Sequence, residues 1–91
     1  MKKLTEEELP RDYKNDLKLV RDAGFNPIAI TCFACEISFC FKTEKETEEA
    51  YQKLQVSDES VDGWWYNEEK FLKYIKKEED KFGEMVVWWL N

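Results

Sequence analysis

The residues of this chain that can do chemistry are carboxylates, thiols and lysines, because it contains no histidine. Histidine is the commonest general base near neutral pH and the commonest metal ligand. Without it, a Ser-His or Cys-His nucleophile pair cannot be built here. The three cysteines, Cys32, Cys35 and Cys40, are spaced C-x2-C-x4-C. Structural zinc takes four Cys or His ligands, usually on turns. This set is one ligand short and has no glycine-rich knuckle. On an extended strand, Cys32 and Cys35 would also face opposite sides. The expectation is three reduced thiols packed as small apolar residues, with no metal and no cofactor.

Neighbouring carboxylates are plentiful: Glu6 to Glu8, Glu48-Glu49, Asp58-Glu59, Glu68-Glu69 and Glu78-Glu79-Asp80. Paired acids can hold magnesium or cleave a glycoside. Most of these are interleaved with lysine on stretches that read as exposed helix faces, which marks a solvated surface. There is no DxDxDG loop, no P-loop and no GxGxxG. The expectation is a protein that is not an enzyme.

The distribution of charge says more than its total. Residues 1–42 carry seven acids and seven bases, and residues 63–91 carry six acids and five bases. Five of the six net negative charges therefore fall in residues 43–62, TEKETEEAYQKLQVSDESVD. On a helix through the start of this stretch, Glu44 and Glu48 are neighbours about 5–6 Å apart. That is near the spacing of phosphates along a nucleic-acid strand. Glu49, Asp58, Glu59 and Asp62 extend the row, and Trp64 and Trp65 follow it. Tryptophan is a frequent anchor of protein interfaces. A chain of net charge −6 is a poor match for nucleic acid or an anionic membrane. The expected partner is instead the basic surface of a nucleic-acid-binding protein, met by electrostatic complementarity through these eight residues. An alternative is an interaction or homodimerisation module. It would use the apolar C-terminal strand, with Trp88 and Trp89, to pair with a second copy or with a partner's sheet edge.

These residues must be positioned by one domain covering 1–91, since 91 residues suffice for one and not two. A chain of this size buries roughly 60–65% of its unfolded surface, so its core is thin. Four Trp, four Tyr and six Phe offset this with large apolar areas. With 43% apolar residues against 37% charged, the composition is that of a folded domain rather than a disordered one. No apolar run reaches the ~20 residues of a membrane helix. The N-terminus, MKKLTEEELP, lacks the apolar core of a secretory signal. With three free thiols, this points to the cytoplasm.

Helices are expected near 10–23, 44–55 and 68–81. Thr5 and Glu8 fit a capping box, Pro10 restricts the start, and Tyr13, Leu17 and Val20 share one face. Gly24 suits a left-handed cap, and Asn26-Pro27 stops the helix. Thr43 and Glu46 form a second box ahead of Thr47, Ala50, Tyr51 and Leu54. Asn67 suits an N-cap ahead of Phe71, Leu72 and Ile75, and Gly83 a stop. Residues 28–41, IAITCFACEISFCF, are strand-like, but the apolar parity changes near 32–35. Either a bulge or a hairpin accounts for this, and the length favours two strands. Residues 61–66 read as a strand or a loop, and EMVVWWLN as a strand apolar on both faces. The expected fold is α+β, with three to four mainly antiparallel strands and three helices packed on one face.

In composition and layout, this short acidic chain resembles the small phage-encoded inhibitors of host defence, anti-CRISPR proteins among them. The residues that carry the resemblance are the acids of 43–62 with GWWYNEEKF beside them. It extends over the whole chain and includes no signature motif. It implies an inhibitor, in some such proteins one that presents carboxylates to a site meant for DNA or RNA. Lys70, Lys73, Lys76, Lys77 and Lys81 depart from the pattern of a thorough nucleic-acid mimic.

Overall fold

The computed structural model describes residues 1–33, 36–54, 61–66 and 68–90, with the backbone alone at 33, 36 and 61–66. Along the chain come strand β1 (Lys2–Thr5), a 3-10 turn (Glu6–Glu8), helix α1 (Arg11–Asp22), strands β2 (Ala29–Phe33) and β3 (Glu36–Phe41), helix α2 (Glu44–Leu54), strand β4 (Val61–Tyr66), helix α3 (Glu68–Phe82) and strand β5 (Val86–Trp89). The fold is α+β, with its three helices where the sequence places them. The five strands form one sheet in the order β1-β5-β2-β3-β4.

The parity change is a hairpin. β2 and β3 pair antiparallel from Ala29 opposite Cys40 to Phe33 opposite Glu36. The linking residues, 34 and 35, lie outside the described ones. β2 is also antiparallel to β5, so antiparallel pairs occupy the centre. The two outer pairings, β1 with β5 and β4 with β3, are parallel.

Two features differ from the sequence expectation. The sheet has a fifth strand, because Lys2–Thr5 pairs with β5 from Lys2 opposite Val86 to Thr5 opposite Trp89. KKLT shows no apolar alternation, so only the ladder reveals it. The helices also cover both faces rather than one. On one face, Ile30, Ile37, Phe39, Phe41 and Trp88 pack with Leu17 and Val20 of α1 and Ala50 of α2. On the other, Ala29, Cys40 and Val87 pack with Phe71 and Ile75 of α3. A sheet apolar on both sides must be covered on both sides.

Local signals explain the helix ends. Thr5 N–H donates to Glu8 Oε2 at 2.9 Å, so the first box caps the 3-10 turn and α1 starts after Pro10. Gly24 adopts φ +96°, Gly24 N–H donates to Arg21 O and Phe25 N–H to Val20 O. These two bonds make a Schellman motif, and Phe25 and Val20 belong to the same apolar cluster. Arg21 meets Glu6 through two parallel bonds of 2.9 and 2.7 Å, tying the 3-10 turn to α1. Buried Thr31 donates to Val86 O at 2.7 Å, so its hydroxyl is satisfied inside the sheet. No helix among the described residues is long and apolar enough to cross a membrane.

The second face is as much core as the first. Phe71→Ala, at a fully buried position of α3, should destabilise the protein by about 3–5 kcal/mol in urea unfolding. Leu19→Ala, on the outer side of α1 with 59% exposure, should change stability by less than about 0.5 kcal/mol.

Candidate functional site

The acidic face is built on α2. Thr43 opens the helix: its Oγ1 accepts from Glu46 N–H at 3.1 Å, and its carbonyl accepts from Thr47 Oγ1 at 2.8 Å. Thr47 and Ala50 are buried against the sheet. The 3.6-residue period then turns Glu44, Glu48, Glu49, Tyr51 and Gln52 outward, where all are exposed. Glu46 behaves differently. Its carboxylate accepts Asn26 N–H at 3.0 Å, binding α2 to the loop after α1. The second capping box is therefore formed only in its threonine half.

Lys53 makes a second tie. Its ammonium donates to Ala23 O at 3.1 Å and lies 5.9 Å from the centre of the Phe25 ring. That carbonyl belongs to the C-terminal end of α1, where a cation suits the helix dipole. Glu48 and Glu49 share an open hollow of about 620 Å³ with Lys45, Gln52, Lys53 and the edge of Phe25. The carboxylates are thus interleaved with two ammonium groups, and the surface is mixed rather than uniformly negative.

Helix α2 packs against β3 and β4. Glu44, Glu48 and Glu49 therefore lie at the same end of the sheet as β4, which carries Asp62, Trp64 and Trp65. Trp64 stands opposite Phe39 and Trp65 opposite Cys40, so the two positions belong to opposite faces of the sheet. Three steps on β4, from 61 to 64, match two on β3, from 37 to 39. This places a bulge at Asp62-Gly63. Asp58 and Glu59 lie outside the described residues.

The C-terminal tryptophans are not available to a partner's sheet. β5 is flanked by β1 and β2, so both its edges are paired. Trp88 is 8% exposed and meets Tyr13 edge-to-face at 5.6 Å. Trp89 meets Phe71 edge-to-face at 6.5 Å, with Lys3 Nζ 5.9 Å from its ring. The edge strand that carries a tryptophan pair is β4.

The thiols are separated by the sheet. Cys32 lies on the α1 side, its Sγ 2.7 Å from Tyr13 Oη, and Cys40 is buried on the α3 side. One ion cannot bind both, and Cys35 is outside the described residues. Among the described residues, no three His, Cys, Asp or Glu side chains gather as a metal site. Burial, and secondarily the Glu68 carboxylate, pushes the Cys40 thiol up to about 12.

Sequence reasoning missed the Glu46–Asn26 and Lys53–Ala23 ties, which join residues 20 and 30 positions apart. The alternation of Lys45 and Lys53 with the glutamates was the one visible signal of a mixed surface. Comparison with protein-family models, with curated proteins and with solved structures returned no match.

The folded protein holds the Cys40 proton to about 12, whereas an unfolded thiol releases it near 9.0. Between these values the folded state binds more protons. Stability present below the unfolded value should therefore fall as pH rises, by at most about 1.4 kcal/mol per pH unit. Urea unfolding of the wild type and of Cys40→Ala across this range should show the shallower slope in the variant. Native Cys40 should also resist a thiol reagent that labels it once the chain is unfolded.

Proposed function

We propose that this protein is a non-catalytic inhibitor that binds a nucleic-acid-handling protein by laying the α2–β4 end of its sheet into a basic groove. The observation that carries this reading is that α2, with exposed Glu44, Glu48 and Glu49, packs directly beside the edge strand β4. Carboxylates there compete with phosphates for the partner's Lys and Arg side chains, and the protein's net charge of −6 keeps nucleic acid itself away. Trp64 or Trp65, at positions on opposite faces of β4, anchors the edge of the contact. Asp58, Glu59 and Asp62 complete the acidic set.

Lys45 and Lys53, beside Glu48 and Glu49, give the face a pattern of both signs. Such a pattern suits recognition of a particular protein surface more than imitation of a uniform phosphate row, because misplaced like charges reject wrong partners. The role agrees with the resemblance to phage-encoded anti-defence inhibitors. The reading puts the protein in the cytoplasm, where free thiols such as Cys32 and Cys40 stay reduced.

Affinity capture from host cells with tagged wild type and with E44K/E48K/E49K tests this. The wild type should retain a nucleic-acid-binding protein at about 50 mM salt and release it at about 500 mM. The triple variant should bind it at least about tenfold more weakly. Added wild type should displace nucleic acid from the captured protein. Capture that is indifferent to both salt and charge reversal would remove the electrostatic mechanism.

A further inference from the structure

We infer that the partner is held by strand addition: the outer edge of β4 takes an extended segment with Lys or Arg at alternate positions, whose charges meet Glu44 and Glu48 of α2. This rests on the reading of the α2–β4 end given above and adds how the partner is gripped.

The sheet ends in β1 on one side and β4 on the other, and the two edges differ in chemistry. β1 is four residues long and carries Lys2 and Lys3, both exposed. Lysine on an edge strand discourages further pairing. β4, VDGWWY, has no lysine and no proline to interrupt a ladder. Its inner side is taken by β3, and among the described residues no strand pairs with its outer side. The bulge at Asp62-Gly63 leaves residues 64–66 as a regular run in register with residues 39–41. A row of N–H and C=O groups with no strand partner among the described residues is a template for another strand.

Charge selects the occupant. Two copies pairing through β4 would bring two α2 helices together, each with four glutamates against two lysines. Like charges so placed oppose association. A basic extended segment meets no such penalty. Side chains on an added strand alternate between faces, so only every second residue projects on the α2 side. The partner therefore needs its basic residues at spacing i, i+2.

The probe is the synthetic peptide Lys-Val-Lys-Thr-Lys-Val-Lys-Thr. It is compared with two peptides of the same sequence, one N-methylated at every Lys and the other at every Val and Thr. Charge is identical in all three, but each methylated peptide loses the donors on one edge. Strand addition predicts that one methylated peptide binds at least tenfold more weakly than the parent and the other does not. It also predicts that the parent slows hydrogen exchange in residues 61–66, and that E44K/E48K/E49K weakens the parent. Equal binding of all three would overturn strand addition and leave the charge reading of α2 standing. The methylation pattern with no loss on charge reversal would instead overturn the charge reading, and with it the choice of a basic occupant. No binding, or a dimer of the protein with exchange protection at 61–66, would overturn the inference outright.

Discussion

The structure depends on one strand that is apolar on both faces. In β5, Trp88 enters the cluster on the α1 side, while Val87 and Trp89 lie on the α3 side. Such a strand is stable only inside a sheet covered above and below. That constraint calls for neighbours on both edges, supplied by β1 and β2, and for helices on both faces. Tyr13 and Phe71 meet the two indole rings edge-to-face from opposite layers. Neither indole Nε1 has an acceptor among the described residues. Aromatic volume outweighs polar satisfaction at the centre of this thin core, since each buried ring removes about 150–250 Å² from water.

Around this centre, a few polar contacts between elements decide which surfaces remain free. Glu6–Arg21 holds the 3-10 turn to α1, and Glu46–Asn26 and Lys53–Ala23 hold α2 to the end of α1. Met85 N–H donates to Glu79 at 2.8 Å where α3 leads into β5. Exposed or partly exposed contacts of this kind are each worth little, about 0–1 kcal/mol. Their effect is to orient. With Glu46 held on Asn26 N–H, the exposed carboxylates of α2 are Glu44, Glu48 and Glu49. The same packing seats α2 on β4. The domain therefore has one end where the acidic helix lies beside the terminal strand β4, and another where exposed Lys2 and Lys3 lie on β1.

Much of the fold was legible because its signals are local. Helix positions followed from the period of Leu17 and Val20 in α1, Thr47 and Ala50 in α2, and Phe71 and Ile75 in α3, all of which are buried. Gly24 took the left-handed conformation expected of a helix stop. The parity change near 32–35 required a break in a strand, and the ladder shows the hairpin. β1 was not legible, because KKLT has no pattern of its own and is a strand only by pairing with β5, some 84 positions away (Lys2 with Val86). Placement of the helices on two faces was implicit in the apolar residues on both sides of β5, but which helix covers which face is a long-range outcome.

The candidate site divides the same way. The sequence by itself determined that acidity is concentrated in 43–62 and that Glu44, Glu48 and Glu49 face outward from a helix, because charge and period are properties of a short stretch. It also determined that tryptophans occur as adjacent pairs, whose members must take opposite faces of a strand. Only the tertiary structure decided which pair sits on a strand that is paired on both edges. β5 lies between two strands and β4 lies at the end of the sheet, and strand order arises from pairings between distant segments that no local pattern encodes.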